Sequence, residues 1–236
     1  MRLLVILLIA CSSQVAFARG GGGGWSLGAN LGITASDQTD MNTLITRANS
    51  RDSISTGQFG NAWEFSGFIS YRTSSMLALQ FRPSYYYSAV DGSGSGGSYD
   101  YSVTGFTLFP IFRFYLLESN YIKFFTQVGV GWGFLFGSVK EGAASAEFSG
   151  NAMGTMAGLG AEFCFTGNHC ISVEGNFRLL RVQRVTSDAS TNNFVTTGAT
   201  PSLSQSASGQ EVELDGADLS ATMSGVQGFI GYVFYF

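Results

Sequence analysis

The sequence predicts an all-β fold, an eight-stranded antiparallel up-and-down transmembrane β-barrel. Charged residues make up 12% of the 236 positions and hydrophobic residues 45%, whereas about a quarter of an ordinary chain is charged. Beyond residue 20 no apolar run approaches the ~20 residues that a transmembrane helix needs. Eight segments instead alternate between apolar and small or polar residues, which is the period of a strand. Lipid-facing strands must close into a barrel.

The composition disfavours other classes. The chain contains 21 Phe and 10 Tyr residues, and disordered chains are poor in aromatic residues. Its net charge is −4, and it has no cluster of Lys and Arg that could meet phosphate groups. We therefore expect an ordered protein with no nucleic-acid partner and no cofactor.

The first residues predict export. Arg2 precedes the apolar run from Leu3 to Cys11, and Ala16-Phe17-Ala18 follows. This order is typical of a secretory signal peptide over residues 1–18, cleaved after Ala18. As an alternative, Leu8-Ile9-Ala10-Cys11 resembles a lipobox, which would lead to acylation of Cys11. The glycine-rich leader is then 19–24, and the barrel is 25–236.

The alternation defines eight strands and assigns a face to each residue. Within each strand the residues of one parity are apolar, and we assign that parity to the lipid. The segments are 25–33, 63–72, 77–87, 106–114, 122–134, 153–163, 171–179 and 226–236. Pro83 and Pro110 interrupt two of these strands, and we expect β-bulges there because proline cannot donate to a ladder.

The connections favour a barrel over a water-soluble sandwich, because long and short connections alternate. The predicted connections are 35–58, 73–75, 88–98, 117–120, 135–151, 166–169 and 182–219. Outer-membrane barrels have short periplasmic turns and longer extracellular loops. Both termini are therefore expected in the periplasm.

Eight charged residues share the inward parity. They are Glu64, Arg72, Arg82, Arg113, Lys123, Glu162, Glu174 and Arg178. They could line an ion-selective lumen. An eight-stranded barrel, however, is only wide enough for its own side chains, and buried charges require partners. We favour paired charges that fill the interior.

Two cysteines are predicted to form a disulfide. The turn between the sixth and seventh strands centres on Gly167, so Cys164 and Cys170 lie opposite each other across the hairpin. Opposed cysteines are within disulfide range, and the periplasm is oxidising. Two free thiols are the alternative.

The sequence offers no catalytic or metal site, and we expect no enzyme. His169 is the single histidine and lies in a short predicted turn, where we expect a solvated side chain. Glu211, Glu213, Asp215 and Asp218 form an acidic cluster. Their spacing matches no Ca²⁺ loop, so we expect a solvated acidic loop.

The end of the chain resembles the C-terminal signal that the barrel-assembly machinery of bacteria reads, with Gly231, Phe234 and the terminal Phe236. With the signal peptide and the eight strands, the chain resembles the small eight-stranded outer-membrane barrels of the OmpA-barrel, OmpX and opacity-adhesin type. The resemblance implies the bacterial cell outer membrane as location, with its lipid and the assembly machinery as partners. We expect a monomer.

A specific function is expected in the loops 35–58 and 182–219, which are far longer than joining strands requires. We expect a structural or surface-interaction role in which these loops bind a surface ligand, and barrel insertion that does not need them. Inert disordered loops are the alternative. A second class is a small transport barrel, either a narrow pore or an OmpW-like conduit for hydrophobic molecules. The inward glycines of strands five and six could leave a cavity for it. These glycines are Gly129, Gly131, Gly133, Gly154, Gly158 and Gly160.

Overall fold

The computed structural model describes residues 24–94, 97–142, 144–188, 203 and 207–236. Its long strands are β1 Gly24–Ala35, β2 Asn61–Arg72, β3 Leu77–Gly94, β4 Gly97–Glu118, β5 Ile122–Glu141, β6 Ala144–Cys164, β7 His169–Leu179 and β13 Gly225–Tyr235. The shorter elements are helix α1 Thr39–Asp52 and strands β8 Arg181–Val182, β9 Thr186–Ser187, β10 Glu213–Leu214, β11 Ala217–Asp218 and β12 Ala221–Thr222. The signal peptide, the cleavage site after Ala18, Cys11 and leader residues 19–23 lie outside the described residues.

The eight long strands close into a barrel. Each pairs antiparallel with its neighbours along the chain, in the order β1 to β7 and then β13. The first and last strands also pair, from Ser26 opposite Tyr235 to Ala35 opposite Val226. The predicted eight-stranded antiparallel barrel is confirmed.

The two faces follow the predicted parity. Apolar side chains such as Leu31 and Val173 are about half exposed, whereas their neighbours Asn30 and Ser172 are buried. Aromatic residues border this apolar outer surface at both ends of the barrel, as in membrane barrels. At one end the rings of Trp25 and Tyr71 are 4.8 Å apart. At the other end Trp63 lies opposite Tyr87.

The two ends of the barrel differ. One end of the barrel, which we call the short-turn end, holds the start of β1, the end of β13 and the turns 73–76, 119–121 and 165–168. At the opposite, loop end, β3 to β6 continue past the apolar surface as far as the pairs Gly94–Gly97 and Glu141–Ala144. The predicted loops 88–98 and 135–151 are thus wrong over most of their length, because these residues are strand.

A reversal of polarity explains the extra strand length. In the extensions the outward residues are polar, such as Asp91, Asp100 and Glu147, while inward residues such as Val139 and Phe148 are buried. Alternation therefore persists, but the apolar face changes from the outside to the inside. We call the extended part of β3 to β6 the tall wall.

Neither proline produces a bulge, so that prediction is wrong. Pro83 lies opposite Leu108 and Pro110 lies opposite Phe81 in an unbroken β3–β4 register. Pairing lapses beside each proline on its other strand, but the register is the same on both sides of the gap. The register shift in the β4–β5 ladder lies instead between Tyr115 and Leu117.

The loop 35–58 contains α1. Met41, Leu44, Ile45 and Ala48 are buried on one face of this helix, at the spacing of an amphipathic helix. It ends at Asp52. The next residue, Ser53, adopts the left-handed conformation, and the Ile54 N–H donates to the Asn49 carbonyl. No helix in the described part of the chain is both long and apolar enough to cross a membrane.

Candidate functional site: the barrel interior and its cap

The part of the barrel interior nearer the short-turn end holds a buried ion-pair network centred on Glu174. Its carboxylate accepts hydrogen bonds from Arg82 at 2.7 and 3.0 Å, from Arg113 at 2.7 Å and from Gln127 at 3.1 Å. Arg113 also donates to Glu162 at 2.8 Å. All five side chains are buried. The network therefore joins β3, β4, β5, β6 and β7 across the barrel.

The strand register brings these groups together. Arg113 lies opposite Gln127 across the β4–β5 ladder, and Glu174 lies opposite Gly160 across the β6–β7 ladder. Phe125 occupies the space in front of Gly160. The Arg113 guanidinium stacks over the ring of Phe125 at 3.9 Å, a favourable contact for a desolvated cation.

A second buried pair lies nearer the loop end. Arg178 donates to Glu64 at 2.7 Å and to the Met223 carbonyl at 2.7 Å. Glu64 also accepts from Thr34 at 2.9 Å and from Gln227 at 2.8 Å. Together with the network around Glu174, the middle of the barrel holds three arginines and three glutamates, so their formal charges cancel.

Arg72 and Lys123, also predicted to be inward, lie at the rim of the short-turn end. Arg72 pairs with Glu118 and donates to the carbonyls of Ser74 and Ser75. The Lys123 ammonium is 3.9 Å from Glu118 and 3.6 Å from the centre of the Tyr235 ring. All eight predicted charges thus face inward, six in the middle and two at the rim.

The inward glycines of β5 and β6 make room for side chains. Phe109 covers Gly131, and Leu180 and Met223 cover Gly133. Ile111 and Met156 contact Gly129, Leu180 contacts Gly154, Asn176 contacts Gly158 and Phe125 contacts Gly160. A Cβ atom at any of these glycines would lie within 3.0 Å of another atom. Neighbouring apolar and amide side chains, rather than arginines, occupy the space.

The loop end is closed by a cap, which we define as α1 together with residues 203 and 207–223. Leu44 and Ile45 of α1 belong to one apolar cluster with Leu219 and Met223 of the second loop. The tall wall supplies the other side of this cluster, including Leu135. The spacing of apolar residues over 41–48 could have revealed the helix. Its position inside the wall is not readable from the sequence.

Polar contacts hold the cap together. Asp40 accepts from the backbone N–H and the hydroxyl of Ser220 at 2.8 and 2.6 Å. Arg47 of α1 pairs with Asp215. The hydrogen bond from Arg47 lowers the pKa of Asp215 below its ordinary value. Arg51 contacts Glu141 of the tall wall at 2.7 Å.

The four residues of the predicted solvated acidic loop are all exposed, and several of them contact arginines. Asp215 pairs with Arg47, and Arg184 contacts Glu211 at 3.2 Å and Asp218 at 2.9 Å. These acids therefore neutralise Arg47 of the cap and Arg184, which lies outside it. The described residues contain no group of three His, Cys, Asp or Glu side chains placed to hold a metal ion.

Cys164 and Cys170 form a disulfide on the inner face of the β6–β7 hairpin. His169 is the first residue of β7, not part of a solvated turn. Its Nδ1 hydrogen-bonds the hydroxyl of Tyr232, and its ring lies 5.0 Å from that of Phe234. The outward parity of β7 explains this position among aromatic rings.

The residues of the predicted C-terminal signal lie along the β1–β13 ladder. Gly231 faces inward, and the side chain of Asn30 occupies the space before it. Phe234 lies in β13 opposite Leu27, and the N–H of Phe236 donates to the Trp25 carbonyl at 3.0 Å.

No protein-family model matches this chain, and no curated protein matches it. Solved structures do. The outer membrane protein OprG from Pseudomonas aeruginosa is 9% identical with a TM-score of 0.58, over 92% of this chain and 97% of that one. A major outer membrane protein from Thermus thermophilus is 11% identical with a TM-score of 0.50, over 91% and 99%. The chain has the fold of bacterial outer-membrane β-barrels.

Proposed function

We propose that this protein is an outer-membrane barrel that is closed to ions and solutes and presents its folded cap as a surface for interaction with another molecule. The observation that carries this proposal is the filled interior. A charge-neutral network occupies the middle of the barrel, and one apolar cluster fills the loop end.

Closure follows from the cost of opening a path. A passing ion would have to separate buried pairs such as Arg82–Glu174, and breaking a buried pair costs about 3–5 kcal/mol. Planar-bilayer recordings of the refolded protein are expected to show no steady conductance. A large and lasting conductance in wild-type protein would contradict closure. The variant Arg82→Ala/Glu174→Ala, which removes side-chain volume, tests whether the assay detects an opened interior.

The two ends of the barrel support one orientation in the membrane. We propose that the signal peptide is removed after Ala18, that the assembly machinery reads Gly231, Phe234 and Phe236, and that both termini stay in the periplasm. The short turns would then be periplasmic and the tall wall extracellular, as in barrels of this fold.

Surface labelling tests this orientation. On intact cells an impermeant maleimide is expected to label Ser93→Cys at the loop end and to leave Asn120→Cys at the short-turn end unlabelled. Both positions are exposed, so disruption of the outer membrane should make the two variants equally reactive. Labelling of Asn120→Cys alone on intact cells would reverse the orientation.

The proposed surface ligand would meet the cap. The long loops 35–58 and 182–219 contribute exposed polar residues such as Thr46, Ser50 and Gln210, and the apolar cluster beneath holds the cap in one arrangement. A preorganised surface loses less entropy on binding than mobile loops do. Trimming the loops would remove part of this cluster and disturb the cap as a whole. That barrel insertion does not need the loops stays a prediction.

Substitution on the surface therefore tests recognition better than trimming. In cells that produce the protein, Thr46→Glu/Ser50→Glu is expected to abolish the adhesion or aggregation that the wild type confers. Ser145→Glu on the tall wall, which is also exposed, is the control and should behave as wild type. Full adhesion by the α1 variant would contradict recognition through this face of the cap.

We propose no enzymatic activity. His169, the single histidine of the chain, lies at the short-turn end among aromatic rings. The cap is at the opposite end. The outward surface between them faces lipid.

One observation favours the alternative, a conduit for hydrophobic molecules. The outer surface has an apolar depression of about 630 Å³ lined by residues that include Pro110, Val130 and Met156. The β4–β5 pairing lapses at its Pro110 edge. Uptake of a fluorescent long-chain hydrocarbon by cells is expected to fall in Ala157→Phe, which fills the depression, if this alternative is correct. Unchanged uptake rules it out.

A further inference from the structure

A groove lies on the outer surface where the closing seam of the barrel ends. The last rung across β7, β13 and β1 places Phe177 beside Val226 and Val226 beside Ala35. Beyond this rung, toward the loop end, the chain after β1 turns away into α1, whereas residues 220–224 continue in the direction of β13. A groove of about 590 Å³ lies between them, with this rung as its floor. Its volume is that of a small-molecule site.

The groove lies at the boundary between apolar and polar outer surface. Phe177 and Leu179 are exposed outward residues of β7, and Arg181 follows at the same parity. The strands β7, β13 and β1 stop here, unlike those of the tall wall. The groove therefore opens sideways, at the depth where a lipid changes from acyl chain to head group. Arginine at this position extends its charge toward the membrane surface.

Arg181 differs from the other arginines that the structure describes. All seven others pair with a carboxylate. Arg181 pairs with none within the described ranges, and its guanidinium donates only to the Ser220 hydroxyl, at 2.8 Å. In a chain whose net charge is −4, this exposed arginine has a positive charge that is available to an anionic ligand.

The walls of the groove supply acceptors and hydroxyl groups. Asp40 is occupied by its two hydrogen bonds from Ser220. Asp37 is exposed and, within the described residues, has no ion-pair partner. Thr39 and Ser224 add hydroxyls to the lining. A ligand that fits would carry a negative group for Arg181, hydroxyl or ammonium donors for Asp37, and an apolar part for Phe177 and Val226.

We propose that this groove binds the phosphate-bearing head group of a membrane lipid from the leaflet at the loop end. The phosphate accepts hydrogen bonds from Arg181, because guanidinium groups match phosphate oxygens in charge and geometry. The head-group hydroxyls or ammonium donate to Asp37, and the acyl chains lie over Phe177 and Val226. The proposal requires a barrel in a membrane but does not depend on recognition through the cap.

Native mass spectrometry of the full chain, refolded in detergent, tests this site with phosphatidylglycerol as the probe. Wild-type protein is expected to retain one lipid at least about fivefold more than Arg181→Gln. Arg184→Gln is the matched control, because Arg184 is also exposed but is neutralised by Glu211 and Asp218; it should retain lipid as the wild type does. Heat-modified migration in detergent gels verifies that each variant is folded.

Two further ligands separate the parts of the proposal. Neutral diacylglycerol, which lacks the phosphate, and glycerol 3-phosphate, which lacks the chains, should each be retained much less than phosphatidylglycerol. Equal retention of diacylglycerol would show an apolar surface without a phosphate site and would overturn the proposal. Equal retention of glycerol 3-phosphate would indicate a site for a soluble solute and would overturn it too. So would equal retention by wild type and Arg181→Gln, or an equal loss in Arg184→Gln.

Discussion

Replacement of Glu174 by glutamine tests whether the interior network stabilises the barrel. The carboxylate accepts four hydrogen bonds, three of them from the buried guanidinium groups of Arg82 and Arg113. Glutamine keeps the shape but removes the charge, which leaves three interior arginines against two glutamates. Removing one partner of a buried pair costs about 3–5 kcal/mol. With an m value of about 2 kcal/mol/M in urea, the unfolding midpoint should fall by about 1.5–2.5 M.

Urea unfolding of the protein in lipid vesicles measures this effect, followed by the fluorescence of the exposed Trp25, Trp63 and Trp132. Glu118→Gln is the control. It also breaks a pair with arginine, but at the partly exposed rim, where the loss should be about 1 kcal/mol or less.

A second substitution makes the reasoning refutable in another way. Glu174 is the only carboxylate paired with Arg82 among the described residues, so Glu174→Gln/Arg82→Met returns the mid-barrel to two arginines and two glutamates. This double variant should recover much of the lost stability. If Glu174→Gln costs no more than Glu118→Gln, or if the double variant is less stable than Glu174→Gln, the network is not the source of stability proposed here.

Three more outcomes are expected. Thiol titration of unreduced, denatured protein should find no free thiol at Cys164 and Cys170, and two free thiols would contradict the disulfide. Leu44→Ala should destabilise the cap by about 2–5 kcal/mol and speed tryptic cleavage after Arg47 at least about twentyfold, without loss of heat-modified migration; an unchanged cleavage rate would show that α1 is not held by its apolar face. Arg47 lowers the pKa of Asp215 in the folded state. The stabilisation of the cap by this ion pair is therefore complete above the unfolded carboxyl pKa of about 3.9, and it is lost as pH falls through the lower folded pKa. Hydrogen exchange over 39–52, corrected for intrinsic rates, should therefore be equal at pH 7 and 5 and rise below about pH 4, whereas a rise already at pH 5 would exclude this cause.

The barrel itself was predictable because lipid imposes a strict rule on one face of each strand. Residues such as Leu31 and Val173 could only face outward once their neighbours were small or polar. The inward charges followed from the same parity. The pairing of these charges could not be predicted in this way. Arg113 and Glu174 meet across the lumen because of strand tilt and register, and an alternation of period two determines neither the tilt nor the register.

The loop end was missed for a different reason. In the tall wall the apolar face changes from outside to inside, so Val139 and Phe148 continue the alternation with the opposite meaning. A search for outward apolar residues ends where the membrane ends and assigns the rest to loops. Met41, Leu44 and Ile45 carried a helical period, but the composition of 35–58 is polar. The role of this helix depends on the tall wall, which the alternation of lipid-facing residues does not reveal.

The cap joins chain segments on opposite sides of the barrel's closing seam. α1 follows β1, and residues 207–223 precede β13, so the hydrogen bond from Ser220 to Asp40 spans 180 positions. Such a distant contact carries a large loop-closure entropy until another interaction brings its partners together. Pairing of the first strand with the last does so. We therefore expect the cap to assemble after the cylinder has closed and its contacts to reinforce the β1–β13 ladder. A folding intermediate in which β1 and β13 are not yet paired would expose the apolar side chains of α1. This exposed apolar surface would distinguish an incompletely folded barrel from the folded one.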